Sequence, residues 1–159
     1  MTTLGNREIL KLEKIAFLSS RKVPPAAVMA SYDWATRMCA EGTCVIGGFQ
    51  SALERDVLKI LLKGGSQPIV MVLARSMWRT VPTAYRAAID AGRLLVVSPV
   101  AQTIRRVSRD SAIIRNRFVL ANCSHAVFAA IDSQGSLAHL LAEFPALPHG
   151  VLANDRRSV

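Results

Sequence analysis

Arginine is the chemically suggestive residue of this chain, and it recurs where short apolar runs give way to turns. Arg21 closes the turn Ser19-Ser20-Arg21, and Arg75 lies in Ala74-Arg75-Ser76. Arg105, Arg106 and Arg109 fall in the segment Ser98–Asp110, and Arg115-Asn116-Arg117 follows shortly after. A guanidinium is a planar fork that can donate two hydrogen bonds at once, which suits the oxygens of a phosphate. Two further turns are rich in small residues, Gly47-Gly48-Phe49-Gln50-Ser51 and Asp132-Ser133-Gln134-Gly135-Ser136. Small residues let a ligand approach backbone N–H groups, and a helix beginning there adds partial positive charge. Ser19, Ser20, Arg21, Gly47, Gly48, Phe49, Gln50, Ser51, Arg75, Arg115, Asn116, Arg117, Gly135 and Ser136 are therefore the candidate residues for holding phosphate or nucleic acid. At helical spacing Arg115 and Arg117 stand about 200° apart, so only one of them can face a given ligand. Glycine and serine also make tight turns with no ligand at all, and arginines also cover solvated faces.

No catalytic constellation accompanies these turns. His125, His139 and His149 have no metal-ligand spacing with the cysteines or carboxylates. The chain contains no G-x-S-x-G, no phosphate-binding G-x-x-x-x-G-K-[ST] and no G-x-G-x-x-G. Glu54 and Asp56 could serve as a general acid or base, but Glu54 stands three residues after Ser51, where a capping box uses it. A catalytic role, a metal and a cofactor are thus not expected. Among the aromatic residues Tyr32 and Trp34 fall within a helical stretch. Trp78, in a turn after Arg75, is the better candidate for stacking on a base.

The elements that must position these residues alternate strand and helix. Strands are expected at Lys14–Ser19, Thr43–Ile46, Ile69–Leu73, Arg93–Ser98 and His125–Ile131, and helices at Ala26–Ala40, Ser51–Lys63, Pro82–Ala91, Arg109–Cys123 and Gly135–Phe144. Within Ser51–Lys63, Leu53, Val57, Ile60 and Leu61 form one apolar face. The strands are nearly continuous apolar runs, the signature of a parallel sheet covered on both sides. The expected fold is one α/β, doubly wound, Rossmann-like domain of about five mostly parallel strands over residues 14–144. Residues 1–13 form an N-terminal extension, and 145–159, with Arg156-Arg157, a partly ordered tail. In such a sheet ligands sit beyond the carboxyl ends of the strands, where the strand order reverses, so the turns above share one rim.

The 159 residues suit a single domain, and a hydrophobic content of 51% excludes intrinsic disorder. Lys and Arg number 20 against 11 Asp and Glu, a surplus that favours a polyanionic partner. No apolar run approaches the about 20 residues a membrane helix requires, and the N-terminus lacks the apolar stretch of a signal peptide. Cys39, Cys44 and Cys123 form no C-x-x-C pair and read as buried, reduced thiols. A cytoplasmic protein without a membrane partner is expected.

At Lys14–Arg21, Val45–Phe49, Arg93–Pro99, Ile114–Arg117 and Gly135–Leu137 the sequence resembles the DNA-processing protein A (DprA/Smf) family. That family belongs to a wider Rossmann-like group with the Lonely Guy phosphoribohydrolases. The matching segments keep their order over about residues 14–142, as in a compact member whose Rossmann-like domain stands alone. The resemblance implies single-stranded DNA binding at a basic pocket, a part in DNA recombination, and homodimers. Arg21 falls on the arginine of the family's Gly-Ser-Arg turn, and Arg115-Asn116-Arg117 on its Arg-Asn-Arg motif. Ser19 replaces the glycine of the first turn. Ser51 stands where the family has a basic residue, Ala52 replaces a glycine and Glu54 an aspartate. His139 occupies the place of the phosphoribohydrolase catalytic glutamate. The alternative reading of the same turns is a binding protein for a nucleotide or nucleotide-derived ligand, or a nucleotide-processing enzyme of the Lonely Guy-related group.

Overall fold

Strands made of consecutive apolar residues can only be satisfied when both sheet faces are covered, and the computed structural model, which describes residues 1–154, shows this arrangement. In chain order the elements are β1 (Thr2–Gly5), β2 (Ile15–Leu18), α1 (Pro25–Glu41), β3 (Val45–Gly47), α2 (Ala52–Gly64), β4 (Ile69–Val72), α3 (Thr83–Asp90), β5 (Leu94–Ser98), α4 (Arg109–Ala121), β6 (His125–Phe128), α5 (Ser136–Leu141) and β7 (His149–Val151). Short 3-10 turns lie at Arg7–Lys11 and Leu152–Asn154. The sheet has seven strands in the order β1-β5-β4-β3-β2-β6-β7, parallel throughout except for β1, which runs antiparallel to β5.

The expectation of about five strands is thus corrected to seven. The two additional strands are β1, within residues 1–13, and β7, within 145–159. Both are edge strands, short and poor in large apolar residues (TTLG and HGV), so neither shows the buried-strand pattern. Arg156 and Arg157 lie outside the described residues.

Alternation along each strand divides the interior in two. Phe17, Val45, Ile69, Met71, Leu94 and Val96 point to one face and pack against α1, α2 and α3. Ala16, Leu18, Ile46, Val70, Val72, Leu95 and Val97 point to the other and meet α4 and α5. On the first face Phe17 stacks on Trp34 of α1, with centroids 5.0 Å apart and planes 21° from parallel. Such a pair adds about 1 kcal/mol to what its buried area contributes.

Helix ends are set by local chemistry. Pro24 and Pro25 start α1, and Gly42, at φ +70°, ends it while its N–H bonds to the carbonyls of Met38 and Cys39. Ser51 and Glu54 form a reciprocal capping box on α2. The far end of α2 is held by Arg93, which donates to the carbonyls of Leu61, Leu62 and Gln67 at 2.6, 3.0 and 3.1 Å. A second capping box, Ser108 with Ser111, begins α4.

The chain steps outward through β2, β3, β4 and β5, then crosses back to lay β6 on the other side of β2. The order therefore reverses between β2 and β6, and the turns after these strands face one another across that seam. Among the described residues no helix is long and apolar enough to cross a membrane.

Candidate functional site

At the seam the turn after β2 is tied to the turn after β6. The Ser20 N–H donates to the Ala130 carbonyl at 3.0 Å, and the Asp132 N–H donates to Ser20 Oγ at 3.0 Å. Ser19 Oγ donates to the Ser20 carbonyl at 2.9 Å. Both serine hydroxyls thus take part in shaping the seam. Arg21, the next residue, is exposed and makes neither an ion pair nor a side-chain hydrogen bond among the described residues. Gly135 and Ser136 start α5 on the β6 side, where the Gly135 N–H bonds back to the Asp132 carbonyl at 2.9 Å.

The 47–51 turn is built around Arg115. This residue lies on the sheet-facing side of α4, only 7% exposed, and crosses the backbone at Gly48. A Cβ on Gly48 would come within 2.6–2.7 Å of Arg115 Cδ, Cζ and Nε, so the glycine is required for that approach. Arg115 donates to Gln50 Oε1 at 2.7 Å and to Asn116 Oδ1 at 2.8 Å. Burial lowers its pKa from the ordinary arginine value, and the nearby Glu54 charge opposes that shift. Glu54, itself 9% exposed, accepts the N–H groups of Gln50 and Ser51 at 3.2 and 2.9 Å. The N-terminus of α2 therefore already holds an anion, and that anion belongs to the chain.

Phe49 takes φ +49° and is buried, so its ring joins the core beside Phe17 and Trp34. Gly47 is more mildly constrained, since a Cβ there would lie 3.0 Å from the Phe17 carbonyl oxygen. Arg117 stands apart from this group. It is exposed and pairs with Glu143 at 3.1 Å, with both side chains about half open to solvent (48% and 50%).

A separate concavity of about 530 Å³ opens farther along the same edge, between the ends of β4, β5 and β1. Thr2, Arg75, Ser76, Met77, Arg79 and Arg105 form most of its wall. Ser98 at the end of β5 donates to the Arg75 carbonyl at 2.6 Å, and the Ser76 N–H donates to the Ile104 carbonyl at 2.6 Å. These two bonds pin the β4 turn to the β5 segment and so bring Arg75 and Arg105 to one cavity. Arg79 was not singled out from the sequence, because the turn after β4 extends beyond Ser76. Its spacing of four residues from Arg75 was the available signal. Trp78 lies flat on Tyr85, centroids 5.6 Å apart and 9° from parallel, so one of its faces is already covered.

Burial raises the Cys44 and Cys123 thiols to about 11, in keeping with reduced, inert cysteines. Among the described residues no group of three or more His, Cys, Asp or Glu side chains is placed to hold a metal ion.

No protein-family model matches the chain, and comparison with curated proteins finds no match. Solved structures do match. DNA processing protein A from Helicobacter pylori, described for its single-stranded DNA binding mode, superposes with TM-score 0.72 at 19% identity. The match covers 94% of this chain and 69% of that one. DprA from Streptococcus pneumoniae matches with TM-score 0.66 at 17% identity, over 89% of this chain and 51% of its own. A molybdenum cofactor carrier protein from Chlamydomonas reinhardtii matches with TM-score 0.55 at 12% identity, over 92% and 79%. The chain has a DprA/Smf-like, Rossmann-like fold.

Proposed function

We propose that the chain is a binding module for single-stranded nucleic acid, which crosses the carboxyl edge of the sheet. One observation carries the reading: Arg21 stands exposed beside the seam where the strand order reverses, with no ion-pair partner among the described residues. The fold shared with the Helicobacter protein, which binds single-stranded DNA, supports it. In this reading Arg21 grips phosphate. Ser19, Ser20, Gly135 and Ser136 shape the seam beside it, and Gly47, Gly48, Phe49, Gln50, Ser51, Arg115 and Asn116 form the rigid turn that flanks it. Arg117 is left out, because it faces Glu143. A role in DNA recombination and self-association into homodimers belong to the same proposal, the latter checked by sedimentation. Catalysis is not part of it, since the Glu54 carboxylate is occupied by backbone N–H groups.

The test is a titration of fluorescent oligothymidylate at several salt concentrations. Phosphate contacts release counterions, so log K should fall steeply with log salt, by about 0.7 for each single-strand contact. Arg21→Ala should lower that slope by about 0.7, while Arg37→Ala, toward the far end of α1, should leave it unchanged. Equal losses would mean diffuse charge attraction and would sink the proposal. A nucleotide-derived small ligand is the alternative guest, favoured by the cavity's size, which lies within the range of small-molecule sites. A ligand that binds only the folded chain raises its melting temperature, so a nucleotide screen separates the two readings.

A further inference from the structure

The cavity beyond β4 and β5 gathers three guanidiniums, from Arg75, Arg79 and Arg105. None of the three makes an ion pair among the described residues, and no carboxylate lines the cavity. Among the described residues the only hydrogen bond from these guanidiniums is that of Arg75 Nε to the Ser76 carbonyl, at 3.1 Å. Like charges gathered around a concavity repel one another, and the fold gains nothing from them unless an anion enters. The remaining wall fits the same guest. Ser76, Gln102 and Thr2 provide polar groups, and Met77 is the one large apolar side chain. Phosphate oxygens would find donors on several sides of it.

Resting on the reading of the previous subsection, we infer that this cavity is a second phosphate station for the backbone of the same nucleic-acid strand. Neighbouring strands of a sheet lie about 4.8 Å apart, and three such spacings separate the β4/β5 position from the β2/β6 seam. The two stations are thus about 14 Å apart along one edge, a distance that a strand of a few nucleotides spans. The 47–51 turn, which carries no charged side chain, lies between them and serves as a support over which the strand passes.

The experiment compares the intact chain with Arg79→Ala/Arg105→Ala, using single-stranded oligothymidylates of about 4 to about 16 nucleotides, the usual span of such sites. Both residues are exposed, and an unchanged melting curve verifies folding. For the longest strands the double variant should lose about 1.4 from the salt slope, two contacts at about 0.7 each, and roughly tenfold or more in affinity at low salt. The charge-preserving pair Arg79→Lys/Arg105→Lys should keep the slope. The pair Arg37→Ala/Lys63→Ala, toward the opposite ends of α1 and α2, should behave like the intact chain. If the Arg79/Arg105 variant binds long strands as tightly as the intact chain while Arg21→Ala weakens them, the second station is refuted and the seam site stands. A loss in the Arg37/Lys63 pair as large as in the Arg79/Arg105 pair refutes it as well. If the intact chain binds no oligothymidylate at low salt, both are refuted together.

Discussion

The Arg115 turn and the Arg75–Arg79–Arg105 cavity lie on one edge of one sheet and are built from the same residue type, but they are opposites in electrostatic terms. Arg115 is buried, hydrogen-bonded to Gln50 and Asn116, and opposed by the Glu54 charge, with Gly48 making room for its side chain. Its neighbours hold its Nε and one Nη, and its contribution is to the shape of the edge. The cavity arginines are exposed or half-buried and have no ion-pair partner among the described residues. Their contribution to stability is small or negative, and what they offer is charge. A cation therefore becomes a candidate binding group through what its surroundings leave unsatisfied, and its type and position in the sequence do not decide that.

The most damaging way to break this contrast is Gly48→Ala. The new methyl group must displace Arg115, which can move only by giving up its bonds to Gln50 and Asn116. We expect a loss of about 3 kcal/mol in denaturant unfolding, near the upper end for overpacking, because the side chain displaced is buried. In an Arg115→Ala background the same substitution should cost about 1 kcal/mol or less, because the obstacle is gone.

Next comes Arg115→Ala itself, which leaves Gln50 without its donor and the Glu54 carboxylate without its nearby cation. About 2 kcal/mol should be lost, read from the same unfolding curves. Glu54→Ala should follow with about 1 kcal/mol, the usual cost of losing a cap, and Glu54→Gln should restore much of it by keeping an acceptor for the Gln50 and Ser51 N–H groups. At the other pole, Arg79→Ala and Arg105→Ala should each shift stability by no more than about 0.5 kcal/mol in either direction. A loss of 2 kcal/mol at either position would show that these arginines hold the fold together, and the contrast between the two regions would disappear.

Much of the scaffold was legible in the residues. The apolar runs at Ile69–Val72 and Leu94–Ser98 mark β4 and β5 because both faces of those strands are covered. Ser51 and Glu54 mark the start of α2 because their spacing matches reciprocal capping. The edge strands β1 and β7 were hidden, since a strand held by one neighbour does not need a continuous apolar run. The capping box at Ser108 was also hidden, because a serine at its fourth position does the work usually assigned to glutamate or glutamine.

The site was less legible than the scaffold. Helical phase showed that Arg115 and Arg117 could not share a ligand, but only the packing of α4 on the sheet showed that Arg115 is the one facing inward. Phe49 looked like part of a ligand-binding turn until its positive φ directed the ring into the core. Arg79 was passed over because the pinning of its turn by Ser98 and by the Ile104 carbonyl depends on residues more than twenty positions away.

The bonds from Ser20 to Ala130 and Asp132 have a mechanical consequence. They carry the β2–β6 pairing past the ends of the strands, so the turns on either side of the seam are tied to each other as the strands beneath them are. The rim at the seam is thereby a stiff sill, on which the proposed strand would lie lengthwise instead of being enclosed by closing jaws.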